Sequence, residues 1–62
     1  MNIEVERLRR YMRKEDLANR LAVPVGTLNA WIQGRRGIPA DKLRALSQLF
    51  GCSVDYLLKE RR

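Results

Sequence analysis

The sequence predicts an all-α fold, a compact bundle of five short helices, and three observations carry that prediction. Apolar residues recur at three- and four-residue spacing through five successive segments. No useful length alternates apolar and polar with period two, so no strand is expected. Pro24, Gly34, Pro39 and Gly51 fall between the segments, where helices start or stop.

The first helix is expected over about Ile3 to Met12, with Val5, Leu8 and Met12 as its apolar stripe and Tyr11 beside them. Glu4 and Glu6 come early and Arg9 and Arg10 late, the order that the helix dipole favours. The second spans about Lys14 to Ala22, with Leu17, Ala18 and Leu21 facing inward, Glu15 and Asp16 in its first turn and Arg20 in its last. Pro24 disfavours helical geometry at Val23 and suits the opening of the next helix, about Val25 to Gln33. Leu28, Trp31 and Ile32 are its core candidates, and Gly34 is its stop. Trp31 reads as core rather than as a base-stacking platform, because it lies at helical spacing from Leu28. After "RRGIPAD" a fourth helix runs from about Ala40 to Phe50 on Leu43, Leu46, Leu49 and Phe50, the strongest stripe in the chain. Gly51 ends it. Ser53 N-caps a short fifth helix, with Asp55 in its first turn and Val54, Leu57 and Leu58 apolar; the tail "KERR", 59–62, should fray.

Length and charge narrow the function. A chain of 62 residues makes a single domain, 1–62, whose small core is marginal alone unless well packed or joined by a second copy. Thirteen Lys and Arg oppose seven acids, a net charge of +6, which favours polyanionic partners. Cys52 is the single cysteine, so neither an internal disulfide nor a multi-cysteine metal site is available, which fits a reducing cytoplasm. It reads as a small hydrophobe. No apolar run approaches a membrane span, and "MNIEVERLRRYM" lacks a signal-peptide core. With no histidine, glycine-rich phosphate loop or nucleophile elbow, no enzyme is expected, and no cofactor, metal or small-molecule ligand is inferred.

The informative joint lies at about 14–33. A few residues link two short helices, which must therefore cross steeply, and Ala18 supplies the small residue that close crossing needs. Leu21, Leu28 and Trp31 lock the pair, leaving Val25, Gly26, Asn29, Ala30 and Gln33 on the exposed face of the third helix. Such a helix-turn-helix sets its second helix in a DNA major groove.

The stretch "KEDLANRLAVPVGTLNAWIQGRRGIPADKLRALSQLFGCSVDYLL", Lys14 to Leu58, resembles the DNA-binding domain of the lambdoid phage repressor/Cro superfamily of bacterial and phage regulators. The likeness is most specific in "DLANRLAV", "GTLNAWIQGRR" and "LRALSQLFGCSVDYLL". It implies a five-helix domain of the lambda-repressor-like type that binds double-stranded DNA. Val25, Gly26, Asn29 and Ala30 stand where relatives place base-contacting side chains; Lys14, Thr27, Gln33 and Arg35 stand at backbone-gripping positions, and Arg36 adjoins them. Lys14 replaces the usual glutamine, so it can neutralise a phosphate but cannot form the same amide brace. Ala22 replaces the usual turn glycine; either it takes positive φ at about 1–2 kcal/mol or the turn shifts. The segment before the second helix is short, as in the smaller Cro proteins.

The cations fall into three groups: Arg7, Arg9, Arg10, Arg13 and Lys14; Arg35 and Arg36; Lys42 and Arg44. They, with the positive end of the second helix, would fix position on the duplex and supply the salt-dependent affinity; outside Arg35, Arg36 and Lys14, and for Lys42 and Arg44 especially, a solvated or paired place on a helix surface is an equal alternative. Asn29 suits bidentate pairing with adenine, with Gln33 assisting, whereas Val25 and Ala30 offer only contact with thymine methyls. Base discrimination per half-site should therefore be modest and depend on dimerisation and DNA shape. Val54, Tyr56 and Leu57 are candidates for a homodimer surface, although Tyr56 suits the core equally. The expected function is a transcriptional regulator, a repressor on a near-palindromic operator. The rival is a protein-interaction module of antitoxin or antirepressor type on the same fold; a membrane-surface peptide fits the multi-helix, tryptophan-containing pattern poorly.

Overall fold

The computed structural model describes residues 1–59. Five helices follow in order: α1 (Ile3–Arg9), α2 (Lys14–Arg20), α3 (Val25–Ile32), α4 (Ala40–Phe50) and α5 (Val54–Leu58). No strand occurs among the described residues. Ile3, Leu17, Ala18, Leu21, Leu28, Trp31, Leu46, Phe50 and Leu57 form one core to which every helix contributes. Removing such area from water contributes about 25 cal/mol per Å² and is what holds helices this short.

Four of the helices end the same way. After α1, Met12 N–H donates to the Arg7 carbonyl and Tyr11 N–H to that of Leu8; after α2, Val23 donates to Ala18 and Ala22 to Asn19; after α3, Arg35 donates to Ala30 and Gly34 to Trp31. These paired bonds are Schellman closures, which satisfy the last carbonyls by putting one residue in the left-handed region. Cys52 N–H likewise reaches the Ser47 carbonyl after α4. The left-handed residues are Tyr11 (φ 55°), Ala22 (φ 56°), Gly34 (φ 74°) and Gly51 (φ 65°). Ala22 thus adopts the positive φ expected of the turn. Tyr11, which carried no such expectation, adopts it too. Each carries a Cβ penalty of about 1 kcal/mol or more that the glycines avoid.

α1 differs from expectation in length and in the face it buries. It stops at Arg9 because Tyr11 turns the chain. Leu8, expected inside, is 60% exposed, whereas Ile3, Glu6 and Arg7 are buried. Each buried polar side chain finds a partner. Arg7 donates through Nε and Nη2 to Glu4 at 2.7 and 2.8 Å and through Nη1 to the Met12 carbonyl at 2.7 Å. Arg10 donates to Glu6 Oε1 and to the Phe50 carbonyl, both at 2.8 Å, with its guanidinium 4.8 Å from the Phe50 ring centre. Tyr56 Oη donates to the other Glu6 oxygen at 2.8 Å. No buried side-chain nitrogen or oxygen among the described residues lacks a partner, so the polar seam escapes the desolvation penalty of an unpaired group.

Asn2 closes the ring of helices, its backbone N–H reaching Leu57 O at 2.9 Å and its Nδ2 reaching Tyr56 O at 2.7 Å. Ser53 caps α5, its Oγ accepting from Tyr56 N–H at 3.1 Å. Leu58, one of the apolar residues of that helix, is 40% exposed at its end. Lys59 is extended beyond α5; the rest of the tail expected to fray, residues 60–62, lies outside the described residues.

Candidate nucleic-acid interface

The expected joint forms. Leu17, Ala18 and Leu21 of the α2 region are 0–3% exposed, as are Leu28 and Trp31 of α3. Ala18 lets the two helices close, and Trp31 is core, as its spacing predicted. Lys42 of α4 braces the joint from behind, its Nζ donating to the Leu21 carbonyl at 2.7 Å. That lysine is therefore a structural cap on the end of α2, and not one of the free cations it was grouped with.

On the outward side of α3, Gly26 and Gln33 are exposed and Val25, Thr27 and Asn29 half-buried. Ala30 departs from the expected exposed face: it is 9% exposed. Its carbonyl accepts the Arg35 N–H at 2.9 Å, so the Schellman return at Gly34 lays the following chain against it. The same return brings Arg35 and Arg36 back beside α3. Pro24, Gly26, Thr27, Ala30, Arg35 and Arg36 together line a concavity of about 500 Å³. Pro24, the N-cap, bonds none of the α3 first-turn amides with its side chain; its carbonyl accepts the Thr27 N–H at 3.0 Å.

Gly26 is informative by elimination. A Cβ built there meets nothing within 4 Å, and its φ is not positive. Neither packing nor backbone geometry requires glycine, which is a poor residue inside a helix. The space beside it is open to whatever docks on this face.

The cations divide sharply. Arg7, Arg9, Arg10 and Arg13 each lie within salt-bridge distance of an acid on the same or adjoining helix. Arg7 and Arg10 are bound inward and belong to the fold, whereas Arg9 and Arg13 keep exposed side chains beside their acids. Lys14, Arg35, Arg36 and Arg44 have no such acid among the described residues. The start of α2 is also less free than expected. Asp16 Oδ2 accepts the Arg13 N–H at 3.0 Å, and that bond, followed by Arg13's charge, holds its carboxyl below the usual range. An acid already occupies the positive end of that helix.

The proposed dimer residues are divided as well. Leu57 is 0% exposed and belongs to the core, so it is not surface at all. Tyr56 is half-buried with its hydroxyl committed to Glu6, and Val54 is half-buried. Burial pushes the Cys52 thiol up, which keeps it protonated and fits a small apolar role. Sequence reasoning missed the seam of Glu6, Arg10 and Tyr56. Its one local signal was the Glu6–Arg10 spacing of four, which favours an ion pair on a helix.

A helix-turn-helix family model of the Cro/C1 type matches residues 3–57. The chain belongs to that family. This helix-turn-helix domain therefore has the all-helical architecture of the repressor/Cro superfamily, and its family is one of DNA-binding transcriptional regulators, generally without enzymatic activity. No curated protein and no solved structure matches the chain. Among the described residues no helix is long and apolar enough to cross a membrane.

Proposed function

We propose that this domain is a sequence-specific double-stranded DNA-binding regulator that lays α3 in the major groove and represses by occupying its operator. The observation that carries the reading is the outward side of α3: Gly26 and Thr27 line one concavity with Arg35 and Arg36, which are unpaired with any acid among the described residues, and half-buried Asn29 and exposed Gln33 lie on the same helix and at its C-cap. Asn29 reads a base, with Gln33 assisting. Val25 gives apolar contact, and Gly26 admits close backbone approach. Thr27, Lys14, Arg35 and Arg36 fix position on phosphates. Ala30, being buried, contributes shape more than contact. Two copies bind a near-palindromic site with recognition helices about 34 Å apart. With Leu57 in the core, the dimer surface contracts to Val54, the open edge of Tyr56 and Leu58.

Selection of duplexes from a random pool tests this directly. The expected product is a pair of inverted half-sites about 10 base pairs apart, centre to centre. A pool returning no preferred sequence contradicts specific readout.

One observation favours a second reading, a protein-interaction module of antitoxin or antirepressor type. At three of the four base-contacting positions stand Val25, Gly26 and buried Ala30, none with a hydrogen-bonding side chain. Binding to a protein partner that persists without a steep salt dependence would favour that reading over DNA.

A further inference from the structure

Tyr11 owes its backbone to the Schellman closure of α1, but that closure does not account for a bulky aromatic side chain at this position. Its φ of 55° puts a bulky residue in the left-handed region, a backbone state that persists where the surroundings or a function demand it. Its side chain is 95% exposed, so the aromatic ring is not held by the core. It stands on the rim of a cleft of about 610 Å³ between the end of α1, the outer side of α2 and the last turn of α4. Met12 and Leu49 supply apolar wall; Arg10, Arg20 and Asn19 supply polar edge. None of these residues lines the α3 concavity. The volume falls in the range of ligand-sized clefts, and an aromatic rim beside an apolar floor suits one large apolar side chain.

We propose that this cleft binds an acidic segment of another protein, which inserts an apolar anchor side chain beside Tyr11. Charge selects the occupant. The one acid in the lining, Asp16, is already engaged by Arg13. Arg20 is exposed and has no acid within salt-bridge distance among the described residues, and Arg10 shares the lining with it. A second copy docked face to face would set these arginines against their own images, and like charges brought together are repelled. The segment "KERR", 59–62, is basic and equally unsuited. A segment with carboxylates around one Leu, Phe or Met side chain satisfies both the apolar wall and the cationic edge. Because the two surfaces share no lining residue, the domain can hold such a segment while α3 lies on DNA.

A displayed library of short random peptides, selected against the intact domain, tests the proposal. The wild type should enrich peptides that carry several acids around a large apolar residue. Tyr11→Gly removes the ring and relieves the backbone, so it should melt at a higher temperature yet bind an enriched peptide at least about tenfold more weakly, as loss of an interface anchor does. Arg20→Glu should weaken the same peptide while leaving the fold intact. A short duplex should bind alongside the peptide. The proposal is overturned if selection shows no preference for acids, if Tyr11→Gly binds as tightly as wild type, or if duplex DNA displaces the peptide from the cleft.

Discussion

The α2–α3 joint and the seam that joins α1 to α4 and α5 do the same job with different chemistry. At the joint, Leu17, Ala18, Leu21, Leu28 and Trp31 exclude water as members of one buried apolar cluster. At the seam, Glu6 takes hydrogen bonds from Arg10 and Tyr56, and Arg10 also holds the Phe50 carbonyl. Apolar packing is non-directional and tolerant of pH and salt; a polar seam is directional and holds only while each member keeps its protonation state. The contrast also sorts the arginines. Those near the seam are spent within the fold, and those after α3 face outward.

The largest expected effect breaks the joint. Trp31→Ala should cost about 3–5 kcal/mol, the usual range for truncating a buried aromatic. Set against the 5–15 kcal/mol typical of native proteins and the low end expected of a chain this short, that leaves the domain largely unfolded at room temperature, as far-ultraviolet circular dichroism would show.

The seam should break by pH where the joint does not. Hydrogen bonds from Arg10 and Tyr56 hold the Glu6 carboxyl below the usual range, and Arg7 does the same for Glu4. Both depressed groups stabilise the fold above the ordinary carboxylate value, and that contribution is lost as pH falls through their lower folded values. Tyr56 is pushed up, chiefly by its bond to Glu6, so its contribution is present at neutral pH and lost as pH rises through its raised value. Urea midpoints against pH should therefore fall at both extremes. Glu6→Gln should lower the midpoint at neutral pH and shrink the acid-side loss, leaving the part due to Glu4 and Asp16. Tyr56→Phe should shrink the alkaline loss to what Cys52, also raised by burial, contributes. An unchanged acid limb in Glu6→Gln would deny the seam its role.

Removing one arginine from each region sharpens the comparison. Arg10→Ala should lower the melting temperature while leaving the salt slope of DNA binding as it was. Arg35→Ala should leave the melting temperature unchanged and reduce the slope of log K against log salt by about one. If both substitutions altered the salt slope equally, the sorting of cations would be wrong.

The smallest effect concerns the helix ends. Ala22→Gly should stabilise by up to about 1 kcal/mol, the left-handed penalty less the entropy that glycine loses. Gly34→Ala should destabilise by about 1–2 kcal/mol although its Cβ meets nothing. Melting temperatures that moved the same way in both variants would contradict the shared Schellman geometry.

The two regions were not equally legible in the sequence. α4 begins and ends where its stripe and Gly51 indicated, Ser53 caps α5 as its hydroxyl suggested, and Ala22 takes the backbone state that its place in the turn implied. These features are local, or apolar with a helical period. α1 misled because its buried face is Ile3, Glu6 and Arg7, so the apolar Leu8 pointed the stripe outward. Burying charge depends on partners forty to fifty residues away, Phe50 and Tyr56, which periodicity cannot supply. Ala30 and Leu57 failed for a related reason: a helical face is legible, but which part of it a returning chain covers is set by tertiary closure. At the interface, the residue types of α3 and the place of Arg35 and Arg36 after it were legible; which of the remaining arginines the fold binds was not.

The most direct test of the central claim, that the α3 face binds duplex DNA by sequence, is the affinity of the selected duplex measured across salt for wild type and Asn29→Ala. The account predicts a steep linear fall of log K with log salt for both proteins, and a loss of roughly 1–3 kcal/mol in Asn29→Ala confined to the preferred sequence. No binding at low salt, or equal affinity of the two proteins for that duplex, would contradict it.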